Sequence, residues 1–179
     1  MNAPPSEMQT VLIVDDIPAN LSILREVLEP EGFRILDATS GAAALNICQR
    51  TLPDMILMDV SMPEMDGFET CRRLKQLEGV RSIPVVFITA RHETEAMVEG
   101  FTSGGLDYLA KPFNRMEIIT RVKAHLETSR LHRLVRERNL ELERLNAELT
   151  SRQQQLEEAL ASIKTLRGLI PICSYCKKV

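Results

Sequence analysis

Residues 55–69 read MILMDVSMPEMDGFE, and the fold turns on this stretch. Met55–Met58 is apolar without alternation, the pattern of a parallel strand covered on both faces. The run stops on a carboxylate, Asp59. Met62-Pro63 and Gly67 then mark a loop before a helical pattern over Gly67–Leu77. Three other strand-like runs end on a chemically useful side chain: VLIV before Asp15-Asp16, VVFI before Thr89 and DYLA before Lys111. In a parallel α/β sheet the carboxyl ends of the strands share one edge, and ligands bind in the crevice there. Three acids, a hydroxyl and an ammonium, distant in sequence, are therefore expected to converge on one small site.

Outward from that stretch, strand and helix patterns alternate. Strands are expected at Val11–Val14, Phe33–Ala38, Met55–Val60, Pro84–Ile88 and Asp107–Ala110. The first helix opens near Pro18, carries Leu21, Leu24, Val27 and Leu28 on one face, and ends at Gly32. Ser40 can cap a helix over Ala42–Arg50, and a further helix is expected over Glu93–Thr102. Five such units predict an α/β fold with a five-stranded, parallel, doubly wound sheet. Cys48 and Cys71 fall within helices and read as small core residues.

The 179 residues allow one ordinary domain plus an appendage, and 44% hydrophobic content is enough for a globular core. A net charge of −3 gives no reason to expect nucleic acid or an anionic membrane as partner. No apolar run is long enough to span a bilayer, and the opening MNAPPSEMQT lacks the regions of a signal peptide. A cytoplasmic location is the default expectation, with the four cysteines as reduced thiols. Residues 1–9 are polar and expected to fray, leaving a first domain over 10–125.

After Asn114 the pattern changes. No Gly or Pro interrupts the chain until Gly168, so a helix from Met116 runs about 50 residues, roughly 75 Å at 1.5 Å per residue. One heptad row takes Val135, Leu142, Leu149, Leu156, Ile163 and Ile170, and the other takes Leu131, Leu145, Ala159 and Leu166. Such a helix exposes its apolar seam unless a partner helix covers it, and residues 126–168 are expected to pair with a second copy in a parallel coiled coil. The competing reading is an amphipathic helix folded back on its own domain. Arg138 and Arg152 fall on the second row, where polar residues cost stability but fix register. His125 and His132 read as solvated helix residues.

Asp15, Asp16 and Asp59 at adjacent strand ends repel one another and demand a cation. Oxygen ligands at an open site favour Mg²⁺. Lys111 adds a fixed positive charge and Thr89 a hydroxyl. Together they suit a phosphoryl group: a carboxylate nucleophile, cations to neutralise its oxygens, and a donor to hold one of them. As solvated loop acids the three aspartates would merely terminate strands, but their joint spacing with Thr89 and Lys111-Pro112 favours one site.

The segments VLIVDD, ILMDVSMPEMDGFE, VVFITA and DYLAKPF resemble the receiver domain of bacterial two-component response regulators, over residues 9 to about 125. The resemblance implies a flavodoxin-like fold. It also implies that Asp59 takes a phosphoryl group from a phosphohistidine on a sensor histidine kinase or phosphotransfer protein. It implies that Asp16, Asp59 and the Ser61 backbone carbonyl ligate Mg²⁺, with Mn²⁺ as a substitute and Asp15 acting largely through water. Lys111 would pair with Asp59, and the Lys111–Pro112 peptide would be cis. Thr89 and Tyr108 would be the switch pair, and Ser61 and Arg91 would tune phosphate lifetime. The domain would catalyse only its own phosphorylation and dephosphorylation.

Beyond the long helix, residues 169–179 contain Cys173-x-x-Cys176, half of a tetrahedral zinc-type site and similar to the start of a short module with two such pairs. Free thiols are the alternative for this tail. Two roles are expected for the chain: a dimeric regulator driving an output module through its coil, or an output-free adaptor whose domain face and coil bind a partner protein. No DNA-reading motif is apparent, so direct nucleic-acid contact is not expected. A haloacid-dehalogenase-like hydrolase would need a second Asp two positions after the nucleophile, where Ser61 stands.

Overall fold

The computed structural model describes residues 8–90, 104–112 and 114–168, apart from the side chains of Ala90 and residues 162–168. The expectations for residues 1–7, Arg91, the helix over Glu93–Thr102, and Cys173 and Cys176 fall outside the described residues. So do the side chains of Ile163 and Leu166.

Strand β1, Thr10–Val14, is buried along its whole length because a neighbour lies on each side and helices cover both faces. Strands β2 (Arg34–Ala38), β3 (Met55–Asp59), β4 (Val85–Ala90) and β5 (Asp107–Lys111) complete a five-stranded parallel sheet in the order β2-β1-β3-β4-β5. This is the flavodoxin-like, doubly wound topology. The order reverses beside β1, between β1 and β3, which places the switch point of the crevice between the strands that end in Asp15-Asp16 and Asp59. Register brings the useful strand ends level: Val14 pairs with Met58, Asp59 with Ile88, and Ala90 with Lys111.

The helices stop where local chemistry stops them. Helix α1 (Pro18–Leu28) starts with proline at its first turn and buries Leu21, Leu24, Val27 and Leu28. It tightens into a 3₁₀ turn over Glu29–Glu31, and Gly32 closes it at φ 88°, a left-handed conformation that glycine adopts without strain. Helix α2 (Gly41–Cys48) is capped by the Ser40 hydroxyl, which accepts from the Ala43 amide at 3.2 Å. Helix α3 (Gly67–Leu74) is capped by Asp66, whose side chain accepts from the Glu69 amide at 2.7 Å. It ends three residues before the Leu77 expected from the apolar pattern. The Leu77 amide bonds the Leu74 carbonyl in a tight turn instead, and the Lys75 ammonium donates to the carbonyls of Arg81 and Ile83 at 3.2 and 2.5 Å.

Two apolar layers sandwich the sheet. Val11, Ile13, Leu57 and Ile88 face α1 and the first turns of the last helix, while Leu12, Ile56, Met58 and Phe87 face α2 and α3. Cys48 and Cys71 are buried in the second layer. Burying a Leu or Ile side chain contributes about 1.5–3 kcal/mol, so these layers are the main favourable term holding the strand ends in place.

The last helix, α4, runs from Arg115 to Gly168, 54 residues. Its early residues Ile118, Val122 and Leu126 belong to the sheet's core. The chain divides into compact units at Arg130–Leu131, where the sequence reading set the border at 125–126. Burial of Leu126 accounts for the extra turn held by the first unit. In the second unit the described side chains, residues 131–161, are all exposed. Leu131, Val135, Leu142, Leu145, Leu149 and Leu156 are among them, with Leu149 63% and Leu156 65% exposed. Both seam arginines are neutralised on their own helix, Arg138 by Glu141 at 2.8 Å and Arg152 by Glu148 at 2.9 Å. No helix among the described residues is long and apolar enough to cross a membrane.

Candidate functional site: an acidic pocket with one ammonium

The carboxyl ends of β1 and β3 place Asp15, Asp16 and Asp59 together, with one ligand oxygen from each lying within 4.8 Å of the others. Asp15 and Asp59 are buried, at 0% and 3% exposure. Buried carboxylates need compensation. Part of it arrives from the far end of β5, where the Lys111 ammonium lies 2.7 Å from Asp59 Oδ1 and 3.0 Å from Asp15 Oδ2. The Lys111–Pro112 peptide is cis.

These contacts set the electrostatics. Burial holds the Asp59 carboxyl above its ordinary pKa. The charges of Asp15 and Asp16 push the same way, against the hydrogen bond and charge of Lys111. For Lys111, burial lowers the pKa, but hydrogen bonds to Asp59 and Asp15 outweigh it and the net shift is upward. The two directions are consistent: one ammonium serves two close carboxylates, and it is too little for Asp59.

The three aspartates differ in their surroundings. Asp15 is fully engaged. Its Oδ1 accepts from the Ile17 amide and Asn20 Nδ2, and its Oδ2 from Asn20 Nδ2 and Lys111 Nζ. Asp16 has the opposite character, since its Oδ1 is buried and has no hydrogen-bond partner among the described residues. An orphaned acceptor among three carboxylates and one ammonium is the donor set of a hard cation, so the residues present fit Mg²⁺.

The loop after β3 folds tightly against the end of that strand. Gly67 donates its amide to the Val60 carbonyl at 2.9 Å, and a Cβ at Gly67 would collide with the Asp59 carbonyl. Glu64 takes a left-handed conformation at φ 63° to complete the turn. Ser61 is exposed at the start of this loop. Thr89 is buried on β4, one position beyond Ile88, the residue paired with Asp59. Tyr108 is buried on β5 and stacks on Phe87, with ring centroids 5.9 Å apart, and Phe87 meets Phe68 edge-on at 4.9 Å.

Asp15, Asp16, Asp59 and Lys111 thus meet as the sequence predicts, while Thr89 and Tyr108 line up on neighbouring strands. One participant in the pocket, and one contact at the opposite end of β5, were not legible. Asn20 looks like an ordinary polar residue of α1 but donates to both oxygens of Asp15. His125 is corrected: it is not a solvated helix residue but half-buried, with Nε2 2.8 Å from Asp107 Oδ2. Its partner lies on β5, where pattern reading along the helix cannot find it. Arg121 joins the same carboxylate at 2.6 Å. His132 is exposed.

A parallel sheet with an acid cluster and a lysine at its carboxyl edge defines a class, the flavodoxin-like receiver fold. The comparison with known proteins makes it specific: the response regulator receiver domain family matches residues 11–123, and the chain belongs to that family. It is similar to the response regulator PleD of Caulobacter vibrioides, 43% identical over 114 residues, 64% of this chain and 25% of PleD. It is also similar to the transcriptional regulatory protein YvrH of Bacillus subtilis, 39% identical over 122 residues, 68% of this chain and 50% of YvrH. The chain therefore spans a quarter to a half of the length of these relatives. Among solved structures it resembles the receiver domain of the sensor histidine kinase PA1611 of Pseudomonas aeruginosa. The TM-score is 0.63 and the identity 30%, over 68% of this chain and 99% of that one, and that structure has a magnesium ion coordinated in its active-site cleft.

Proposed function

We propose that Asp59 is the phosphoacceptor of a two-component response regulator and that Mg²⁺ assists its phosphorylation. In this reading a carboxylate oxygen of Asp59 attacks the phosphorus of a phosphohistidine on a sensor histidine kinase or phosphotransfer protein. The P–N bond breaks, an acyl phosphate forms, and the departing imidazole takes up a proton. Asp16, Asp59 and the Ser61 carbonyl would hold Mg²⁺, which supplies positive charge against the phosphoryl oxygens. Mn²⁺ is the expected substitute. Lys111 would shift from Asp59 to the new phosphoryl group, and Thr89 would donate its hydroxyl to it. The receiver domain would catalyse only its own phosphorylation and dephosphorylation.

The observation that carries this reading is the placement of Lys111, 2.7 Å from one carboxylate of the cluster and 3.0 Å from another. That is where a cation must stand to neutralise charge arriving on Asp59. Aspartyl phosphate adds charge and acceptor oxygens, and movement of Thr89 and Tyr108 would carry the change to β5 and to the first turns of α4.

The output route is proposed on the second unit's surface. The leucine seam is exposed along the described part of the helix and would be covered by the same seam of a second copy, in parallel. The dimeric coil over residues 131–168 would then pass the receiver's state to a module joined beyond it. A cytoplasmic site fits this role.

The test is incubation of wild type and Asp59→Asn with acetyl phosphate and Mg²⁺, read by intact mass and by sedimentation with beryllofluoride. Wild type should gain one phosphoryl group, and none when EDTA is present from the start, and Asp59→Asn should gain none. Equal labelling of both would end the proposal.

A further inference from the structure

Asp15 and Asp16 are neighbours in one acid cluster, yet among the described residues only Asp16 has an oxygen to spare. A carboxylate offers about four lone-pair sites. Asp15 fills them with the Ile17 amide at 2.9 Å, Lys111 Nζ at 3.0 Å and Asn20 Nδ2 at 2.9 Å from each oxygen. Half of these contacts come from the single amide of Asn20. The backbone that carries that amide is fixed: Asn20 sits in the first turn of α1, behind Pro18, with its backbone amide bonded to the Ile17 carbonyl at 3.0 Å. The reverse orientation would set the amide oxygen against two carboxylate oxygens, so the NH₂ must face Asp15.

We infer that Asn20 is a positioning residue that sets the size of ion the pocket accepts, by keeping Asp15 out of the ion's coordination shell. The inference rests on the metal site proposed above. Mg²⁺ is small, holds its waters and takes one or two carboxylates, whereas Ca²⁺ takes six to eight oxygens and readily engages a carboxylate through both. With Asp15 tied to Asn20, the cluster offers an ion the free oxygen of Asp16 together with Asp59. That donor set suits Mg²⁺ and under-fills Ca²⁺. Without Asn20, Asp15 keeps one donor on each oxygen, from Ile17 and Lys111, and gains room to turn toward the ion. The larger cation then profits most.

The experiment is calorimetric titration of the full chain with MgCl₂ and, separately, CaCl₂, for wild type, Asn20→Ala and Asn20→Ser. Serine keeps a hydroxyl but cannot reach both oxygens, and it covers the case in which the alanine variant does not fold. Circular dichroism confirms the fold of each. Wild type should prefer Mg²⁺, and the variants should shift the Ca²⁺-to-Mg²⁺ affinity ratio toward Ca²⁺ on the order of tenfold, the size expected when a ligand's outer partner is removed. A ratio within about twofold of wild type in a folded variant that still binds Mg²⁺ overturns this inference alone. Loss of both ions from a folded variant also overturns it, because Asn20 would then be holding the site together. Wild type that binds neither ion overturns the proposed metal site and this inference with it.

Discussion

Lys111 Nζ stands 2.7 Å from Asp59 Oδ1, joining strand ends that lie 52 positions apart in sequence. The pair is not symmetric, since Asp59 is almost fully buried and the Lys111 side chain is 25% exposed. Removing the lysine strands the carboxylates. Breaking a fully buried pair from one side costs about 3–5 kcal/mol, and partial exposure of Lys111 brings the expectation for Lys111→Met down to about 2 kcal/mol. Urea denaturation in EDTA checks this. Adding Mg²⁺ should recover more stability in Lys111→Met than in wild type, because the ion replaces the missing charge. Equal Mg²⁺ effects in both proteins would contradict it.

Asp59 itself is a liability to the resting fold. Its folded-state pKa lies above the ordinary 3.8, with burial as the main cause. A carboxyl shifted upward binds its proton more tightly folded than unfolded, so stability falls as pH rises through the window from 3.8 to the raised value. Below that window the penalty is absent, and above it the penalty is complete. Asp59→Asn removes the titration. In metal-free buffer the variant should melt higher than wild type at pH 7, and the advantage should shrink as pH falls from the raised value towards 3.8 and be gone below it. An advantage that does not vary with pH would show that burial of the charge is not its source.

The strand-end residues were legible because their logic is one-dimensional. Asp15, Asp16, Asp59, Thr89 and Lys111 each close an apolar run, and a parallel sheet brings such ends to one edge. The core was legible for the same reason, through Leu21, Leu24, Val27 and Leu28 on α1. What stayed hidden depends on neighbours in space. Asn20 is five positions from Asp15, an unremarkable separation, and only the turn after Ile17 aims its amide at the carboxylate. His125 lies one helical turn from Arg121 and Ser129, which read as a solvated face, and its partner Asp107 comes from the edge strand. The end of α3 was read too late because Leu77 continues the apolar rhythm after the chain has entered a turn.

Asp107 ties the edge strand to the long helix. One oxygen accepts from the Tyr108 amide at 2.8 Å, and the other from Arg121 at 2.6 Å and His125 at 2.8 Å. Burial alone would raise its pKa, but the bonds from His125, the Tyr108 amide and Arg121 outweigh burial and lower it. A lowered carboxyl contributes stability above its unfolded value and loses it as pH falls through the folded one. Asp107→Asn should therefore destabilise the chain by about 1–2 kcal/mol near neutrality, taking charged hydrogen bonds at partial exposure. The deficit should close as pH drops below the ordinary 3.8. Paired thermal melts across that range are the measurement, and a deficit that persists in acid would assign the effect to packing.

The exposed seam makes the sharpest prediction about assembly. Leu142 and Leu149 lie one heptad apart and both are more than half exposed. If a second copy covers them, placing a charge there buries it without a partner, and Leu149→Asp should turn a sedimenting dimer into a monomer. The receiver should stay folded and still accept phosphate, because the first compact unit ends at Arg130. The opposite change tests the arginine layers. Arg138 and Arg152 are bonded to glutamates of their own helix, so a partner gains little from them. Arg138→Leu together with Arg152→Leu should tighten self-association by at least about tenfold, equivalent to about 1.4 kcal/mol, since leucine is the residue such a row favours. Sedimentation over a concentration series reads both effects. A chain that stays monomeric, with or without the arginines, would leave the seam to a different partner and remove the coil from the proposed output route.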